Sequence, residues 1–300
     1  GLAPGDEIVS INGVLLERLA TEQLVGLMEE SRKRPATVDV RRAGSEAALQ
    51  FVLTPEEMQM PSVEAAFLLG PGAGYVRVSS FDVQTAQDLA AAIERLGGRR
   101  LRALVLDLRN NPGGLLPAAL ETSSLFLEPG QTLVTVRGRA VRATEQKVYD
   151  QAKPYTFPLA VLVNARSASG AEIVAGSLQD HDRAVIVGQP SFGKGLVETV
   201  FPLSDGAGLA LTTAYYYTPS GRSIQRPLDS GQLAHRRDAG KVYRTGSGRE
   251  VRGGGGIHPD RVVLPEPVSR LRAVLEASAS FTSFAVEYTR RSPKPAADFR

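Results

Sequence analysis

The chain of 300 residues contains no cysteine. This absence excludes a disulfide framework, catalysis by a thiol and metal sites built from thiolates, and it suits an oxidising compartment. The chain also has no run of eighteen or more apolar residues, so the sequence predicts no membrane span. It begins at Gly1, in the middle of a motif, and we expect any targeting segment to lie outside this sequence.

Histidine is scarce, because only His181, His235 and His258 occur. His181 follows Ser169 by twelve residues on one predicted helix, which separates the two by roughly 18 Å, too far for proton transfer. His235 lies in a loop-like segment and His258 precedes a proline. The spacing therefore gives no support to a Ser-His-Asp triad, and without an H-E-x-x-H motif a zinc peptidase is unsupported as well. We expect neither a metal nor a cofactor.

Charge is low and diffuse, with a formal net charge of +3 and arginine pairs such as Arg41-Arg42 and Arg99-Arg100 scattered along the chain. Such a distribution is typical of a solvated surface, so we expect no nucleic-acid partner. Hydrophobic residues make up 42% and charged residues 22%, which indicates a globular protein.

The first 55 residues read as a small domain of strands and one helix. Asn12-Gly13 predicts a turn after the first strand, and Thr21 predicts a helix cap. Pro55 and Pro61 interrupt the pattern, which places a domain boundary near residue 56. The predicted strands cover 7–12, 37–41 and 48–53.

Residues 56–265 alternate apolar strands with helices, which predicts an α/β core with a largely parallel sheet. The more strictly alternating strands at 196–203 and 208–217 predict an antiparallel extension. Residues 228–256 are rich in Gly, Arg and Ser and predict a mobile loop. Residues 266–300 predict a helical segment and a tail, with helices opening at Pro265 and covering 281–290. The main elements predicted in the core are strands at 75–81, 104–107, 132–136, 159–163 and 184–187, and helices at 85–96, 116–127 and 170–180.

Ser169 stands at the start of an apolar helix. The pattern from Ser169 to Glu172 is a capping box, and by local sequence a cap is the prevailing interpretation. A catalytic role is compatible with it, because the free amides and positive dipole end of a helix N-terminus can stabilise an oxyanion.

Lys194 follows Ser169 by twenty-five residues, in a glycine-flanked turn. An exposed, ordinary lysine is the usual interpretation of such a residue. A serine and a lysine can nevertheless replace serine and histidine in acyl transfer, provided that burial or a cationic neighbour keeps the amine neutral.

Two glycine-containing segments need separate interpretation. Gly188 to Lys194 fits the G-x-x-x-x-G-K opening of a phosphate-binding loop, but Gly195 replaces the Ser or Thr that would hold magnesium. Residues 196–203 also alternate like a strand, whereas that motif opens a helix, so nucleotide binding is disfavoured. Residues 107–114, Asp-Leu-Arg-Asn-Asn-Pro-Gly-Gly, end a core strand, where ligand sites gather, although Asp107 and Arg109 could simply pin a turn.

Four motifs carry a resemblance to the C-terminal processing peptidases, also called tail-specific proteases, and the match spans most of residues 1–265. Residues 1–13 also resemble the middle of the PDZ domain of this family, and Ile257 to Asp260 resembles a further family element. The four motifs are Asp-Leu-Arg-Asn-Asn-Pro-Gly-Gly (107–114), Ser-Ala-Ser-Gly-Ala-Glu-Ile-Val-Ala-Gly (167–176), Ser-Phe-Gly-Lys-Gly (191–195) and Tyr-Tyr-Thr-Pro-Ser-Gly-Arg-Ser-Ile-Gln (216–225).

The resemblance implies a serine endopeptidase that acts near the C-termini of protein substrates, with a ClpP/crotonase-like α/β core, a partial PDZ domain and an extracytoplasmic location. It implies no cofactor, and a homo-oligomer is possible. By position, Ser169 is the nucleophile and Lys194 the general base. The amides of Gly170 and of either Gly113 or Gly114 form the oxyanion hole, and Asp180 has a supporting role.

This chain departs from the family pattern at three places. Gly170 and Ala171 stand where the family usually has Ala and Ser. Glu198 stands where the family has a glutamine that orients the amine, and a carboxylate there favours the charged form of Lys194. The PDZ-like part begins about halfway, without the loop that would bind a carboxylate.

Two other functions stay open at this point. Glu198 and the partial PDZ domain are compatible with a peptide-binding scaffold or pseudoprotease that has no turnover. A crotonase-like acyl-CoA enzyme shares the core fold, but fold alone does not give function and no acid/base carboxylate pair is evident.

Overall fold

The computed structural model describes residues 1–3, 5–42, 45, 47–56, 61–139, 142–226, 240–265 and 267–291. These residues fall into two units, one formed by residues 1–59 with 266–300 and the other by residues 60–265. Among the helices of the described residues, none combines the length and the apolar character needed to cross a membrane.

The N-terminal part of the first unit is a four-stranded antiparallel sheet in the order β2-β1-β3-β4. The predicted turn at Asn12-Gly13 joins β1 to β2, and both residues have positive φ. Alternation of buried side chains in β3 supplies a small core with Ile11. The elements are β1 (Glu7–Ile11), β2 (Val14–Leu15), α1 (Thr21–Ser31), β3 (Ala36–Arg41) and β4 (Leu49–Leu53).

The second unit contains a six-stranded sheet in the order β16-β11-β10-β7-β6-β5, in which every neighbouring pair is parallel except β5 and β6. This confirms the predicted α/β class and the largely parallel sheet. The strands of the whole second unit, which belong to this sheet and to two smaller ones, are β5 (Val63–Gly70), β6 (Ala73–Val78), β7 (Ala103–Asp107), β8 (Thr132–Arg137), β9 (Thr144–Lys147), β10 (Leu159–Val163), β11 (Ala184–Gly188), β12 (Leu196–Pro202), β13 (Gly208–Tyr217), β14 (Val242–Arg244), β15 (Glu250–Arg252) and β16 (Arg261–Val262).

The α-helices among the described residues of this unit are α2 (Thr85–Leu96), α3 (Leu116–Ser124) and α4 (Gly170–Asp180). Every residue of α4 is buried, so this helix runs through the core. A second sheet, β12-β13-β8-β9, is antiparallel, and its β12–β13 pair is the predicted antiparallel extension.

Several predicted boundaries are wrong. Helix α3 ends at Ser124 rather than at residue 127, where the hydroxyls of Ser123 and Ser124 bond back to the carbonyls four residues earlier. Thr21 is the first residue of α1, whose cap position is Ala20; the amide of Ala20 donates to Gln23 Oε1 over 3.0 Å.

The C-terminal helices are α5 (Arg270–Ala277) and α6 (Ser280–Arg291). The first begins at Arg270 and not at Pro265, because Ser269 supplies the cap by accepting from the amide of Arg272 over 3.2 Å.

The predicted mobile loop at 228–256 is wrong for residues 240–256, and its first part, 228–239, lies outside the described residues. Strands β14 and β15 form an antiparallel hairpin. The hairpin turn bonds to the end of α4, because Gly246 N donates to Asp180 O over 3.0 Å and Ser247 N donates to Asp182 Oδ2 over 2.6 Å. These long-range bonds order a segment whose composition alone is typical of a loop.

A buried ion pair joins the same end of α4 to the 218–225 loop. Arg222 and Asp180 have completely buried side chains, with Arg222 Nη2 lying 2.8 Å from Asp180 Oδ1. Arg222 also donates to Gln179 Oε1 over 2.7 Å and to the carbonyl of Arg252 over 3.0 Å. Its positive charge is therefore fully paired, which is what burial of an ion requires.

We expect Arg222→Ala to lower the free energy of unfolding by about 3–5 kcal/mol, because it leaves the Asp180 carboxylate buried without its cation. Urea denaturation followed by circular dichroism measures this change. Arg244→Ala is the matched control, since the ion pair between Arg244 and Glu250 is exposed and contributes about 1 kcal/mol or less. Equal losses in the two variants would contradict this interpretation.

Candidate active site

Ser169 occupies the turn between β10 and α4, at the carboxyl edge of the parallel sheet. Its φ of 54° and ψ of −115° lie in a region that non-glycine residues rarely adopt. Backbone strain of this kind costs of the order of 1–3 kcal/mol and persists only where surrounding bonds hold it. Ser169 is half-buried and occupies the N-cap position of α4, a completely buried helix.

The Glu172 carboxylate holds this turn in place. Its Oε2 atom accepts from the amides of Ser169, at 2.9 Å, and Lys194, at 2.8 Å. Its Oε1 atom accepts from the amide of Gly193 over 2.7 Å and from the hydroxyl of Ser191 over 2.5 Å. One completely buried carboxylate therefore ties the helix start to the 191–195 loop.

Burial raises the pKa of Glu172, and the hydrogen bonds from Ser191, Lys194, Gly193 and Ser169 oppose that shift. The three amides can only donate. The Ser191 hydroxyl is also set to donate, because its oxygen already accepts from the amide of Ile257 over 2.6 Å. Four donors around two oxygens match an ionised carboxylate, since each bond stabilises the charged form.

The backbones of Ser169 and Lys194 are close neighbours as a result. Both amide nitrogens bond to the same oxygen of Glu172, so they lie no farther apart than the sum of 2.9 Å and 2.8 Å, which is 5.7 Å. Residues separated by twenty-five positions in the sequence thus have their backbones at one carboxylate.

The Lys194 side chain points to Glu198. Its Nζ lies 3.2 Å from Glu198 Oε2, and the two side chains are 39% and 48% exposed. Among the described residues, Lys194 Nζ makes no hydrogen bond to Ser169 Oγ. The sequence prediction that Glu198 would lie beside the amine is therefore matched by the geometry, and the amine is ion-paired in this arrangement.

The two glycines of the 107–114 loop lie where a side chain would not fit, Gly113 against Ser169 and Gly114 against Phe81. A Cβ atom added to Gly113 would lie 2.8 Å from Ser169 Cβ, and one added to Gly114 would lie 2.1 Å from the carbonyl oxygen of Phe81. Both glycines have positive φ, 102° and 148°. Only glycine allows this backbone to approach the helix mouth so closely.

The three amides predicted to line an oxyanion hole differ in their bonding. The amide of Gly113 donates to Asn111 Oδ1 over 2.8 Å, so it is already occupied. Within the described ranges, the amides of Gly114 and Gly170 have no hydrogen-bond acceptor. Of the alternatives left open by the sequence, Gly114 therefore has the available donor, beside that of Gly170.

Asp180 lies at the opposite end of α4 from Ser169. Its carboxylate forms the ion pair with Arg222 and accepts a hydrogen bond at Oδ2 from the amide of Ser220 over 2.9 Å. The structure therefore does not bring Asp180 to the serine, and its contacts hold the 218–222 turn.

Sequence reasoning missed the residues that support the lysine loop. Gln225 is buried, and its Oε1 accepts from the amide of Gly195 over 2.8 Å. Glu172 was interpreted only as part of a capping box. The apolar residues that follow Glu172 indicated a buried helix, but the local sequence of a capping-box glutamate does not show which donors its carboxylate would bind.

Comparisons with known proteins identify a family to which the chain is similar. The model of peptidase family S41 matches residues 72–230. A carboxyl-terminal-processing protease of Synechocystis sp. is 37% identical over 230 residues, which cover 75% of this chain and 53% of that protein. A carboxy-terminal-processing protease of Bartonella bacilliformis is 39% identical over 232 residues, which cover 75% of this chain and 52% of that protein.

The structure of a photosystem II D1 C-terminal processing protease is also similar, with a TM-score of 0.54 and 28% identity over 90% of this chain and 66% of that one. The chain spans about half the length of the curated relatives it matches.

We expect Glu172→Gln to loosen the 191–195 loop. Glutamine fills the same volume but places an NH2 group where a carboxylate oxygen accepts two bonds, and an unsatisfied buried amide costs about 1–3 kcal/mol. Amide hydrogen exchange in residues 191–195 should become at least about tenfold faster. Glu121→Gln, on an exposed position of α3, is the control and should leave exchange unchanged. Unaltered exchange in Glu172→Gln would refute the anchoring role.

Proposed function

Because the chain belongs to peptidase family S41, we propose that it is a serine endopeptidase that cleaves protein substrates near their C-termini. Ser169 is the nucleophile and Lys194 the general base. The observation that carries the proposal is the shared Glu172 oxygen, which keeps the two backbones within hydrogen-bonding distance of one carboxylate.

The proposed first step requires the lysine to leave Glu198. Neutral Lys194 Nζ takes the proton from Ser169 Oγ as that oxygen attacks the scissile carbonyl carbon. The carbonyl π electrons move onto the oxygen, where the amides of Gly170 and Gly114 donate to the negative charge. The resulting ammonium then returns its proton to the leaving amine, and an acyl-enzyme on Ser169 remains.

Water completes the cycle by the same route. Lys194 accepts a proton from the attacking water, and collapse of the second tetrahedral intermediate breaks the bond from the acyl group to Ser169 Oγ. The serine oxygen recovers its proton from the ammonium. We assign Asp180 a positioning role through Arg222 and the 218–222 turn, and not a contact with substrate.

The remaining parts of the proposal concern the whole protein. We include a partial PDZ-like domain in residues 1–55, a ClpP/crotonase-like core in residues 56–265, a helical segment in residues 266–300 and an extracytoplasmic location. The names of the Synechocystis and Bartonella relatives, which describe processing at carboxyl termini, support the substrate class.

We expect Ser169→Ala to abolish labelling by a fluorophosphonate and to lower peptide cleavage by roughly four orders of magnitude or more, because the acyl acceptor is gone. Gel fluorescence and mass spectrometry of products measure the two effects. Ser204→Ala removes an exposed hydroxyl and should change neither. Cleavage that survives Ser169→Ala would overturn the assignment.

The second candidate function is a peptide-binding scaffold without turnover. It is favoured by the 3.2 Å ion pair between Lys194 and Glu198, since the paired ammonium has no lone pair to accept a proton. An exposed ion pair is nevertheless weak, so breaking it costs about 1 kcal/mol or less. We therefore expect the pair to reduce turnover rather than to prevent it.

Glu198→Gln separates these two functions. In an active peptidase, removal of the carboxylate should raise kcat/KM about two- to fivefold, the equivalent of losing a weak surface ion pair. The matched control is Glu145→Gln, which removes an exposed carboxylate 3.3 Å from Lys147 and should leave kcat/KM unchanged. Peptide binding without product in both the parent and Glu198→Gln proteins would favour the scaffold.

A further inference from the structure

The guanidinium group of Arg109 is bonded to Asp107 through Nε and Nη2, while its Nη1 atom takes no part in that salt bridge. Its Nε lies 3.0 Å from each oxygen of the Asp107 carboxylate, and its Nη2 lies 2.6 Å from Oδ2. Asp107 is completely buried, whereas the Arg109 side chain is 46% exposed. The Tyr75 hydroxyl also interacts with this guanidinium. Within the part of the chain that the structure describes, the hydrogen bonds of the Arg109 side chain to Asp107 use Nε and Nη2, and none uses Nη1. This guanidinium is held rigidly, with donors left for a ligand.

A pocket of about 280 Å³ has Arg109 in its lining and lies at the carboxyl edges of β10 and β11. It is smaller than the pockets of about 300–1,000 Å³ that hold drug-sized molecules, so it suits a single side chain. Among the described residues that line it, Arg109 is the one charged residue, and Asn164 and Gln189 are polar. The apolar walls include Leu162, Val163, Val187, Val263 and Leu264.

The pocket is close to the serine along two segments of chain. Arg109 precedes Gly113 by four residues, which limits their Cα separation to about 14 Å, and Gly113 packs against Ser169 Cβ. Asn164, in the pocket wall, precedes Ser169 by five residues. An extended peptide of about four or five residues is therefore long enough to reach from the pocket to the serine.

The geometry points to the C-terminal residue of a substrate as the occupant of this pocket, an inference that rests on the proposed peptidase function. The apolar side chain would fill the pocket, and the free α-carboxylate would accept from Arg109 Nη1. A negative charge and an apolar side chain occur on the same residue only at a chain end. Cleavage would then fall within about five residues of the C-terminus, because the connecting chain sets an upper limit on the span from the pocket to Ser169.

A binding experiment on the Ser169→Ala protein tests this assignment without requiring turnover. Fluorescence anisotropy compares a labelled ten-residue peptide that ends in leucine with the same peptide carrying a C-terminal carboxamide. We expect the free acid to bind at least about tenfold more tightly, because a charge-assisted hydrogen bond is lost in the amide. Adding Arg109→Gln should reduce the ratio of the two affinities to within about twofold.

Two further variants keep the test independent of folding. Leu264→Glu places a carboxylate on the pocket wall at a residue that is 71% exposed, and it leaves the pair between Asp107 and Arg109 intact. It should remove the preference for the acid as Arg109→Gln does. Arg100→Gln removes an exposed arginine outside the pocket and should retain the preference.

Equal binding of acid and amide, no binding of either, or a preference that survives Arg109→Gln would overturn the inference. The last result would place carboxylate recognition elsewhere in the chain.

Cleavage by the unsubstituted protein separates the pocket assignment from the proposed peptidase function. If acid and amide are cleaved equally well, the pocket assignment fails and the peptidase stands. If the Ser169→Ala protein prefers the acid in the predicted way but the parent cleaves neither peptide, the peptidase fails and the pocket stands.

Discussion

The site depends on one buried carboxylate, that of Glu172. An ionised side chain in the core is stable only when every oxygen is fully bonded, and here the four donors come from two separate parts of the chain. Ser169 and Ser191 cannot shift independently of one another, because each movement would leave a buried charge short of a donor. The same requirement holds the unusual backbone of Ser169 in place.

The 107–114 loop connects this anchored serine to the surface where a substrate would lie. At one end, Asp107 fixes Arg109 through the side chain and the backbone. At the other end, Gly113 approaches Ser169 and Gly114 approaches the backbone of Phe81 so closely that a side chain would fit at neither position. A single loop thus links the pocket beside Arg109 to the serine, and among the described residues the amide of Gly114 has no hydrogen-bond acceptor.

Much of the fold follows from local pattern. Helix α4 and strands β10 and β13 have the predicted bounds, because continuous apolar helices and alternating strands leave a clear periodicity. The hairpin of β14 and β15 was missed, since its Gly-rich composition indicates a loop while bonds to Asp180 and Asp182 order it. Contacts between residues about sixty-five positions apart leave no local signal.

The site was predictable to the same extent. The motifs predicted that the chain around Ser169 and Lys194 would meet and that Glu198 would lie near the amine, and the contacts agree; the catalytic roles of these residues stay predictions. The role of Glu172 was not predictable, because a capping-box glutamate has the same local sequence whether it is exposed or buried. Its partners Ser191 and Gly193 lie nineteen and twenty-one residues away, and only the folded chain brings them together.

A crystal structure of the protein phosphonylated on Ser169 tests the account most directly, because the adduct mimics the tetrahedral intermediate. The account predicts that Lys194 Nζ leaves Glu198 and lies within about 3.2 Å of Ser169 Oγ, while all four hydrogen bonds to Glu172 are retained. It also predicts that the phosphonyl oxygen accepts from the amides of Gly114 and Gly170. An adduct in which the ammonium stays on Glu198, or in which Glu172 loses its bonds to the 191–195 loop, would contradict it.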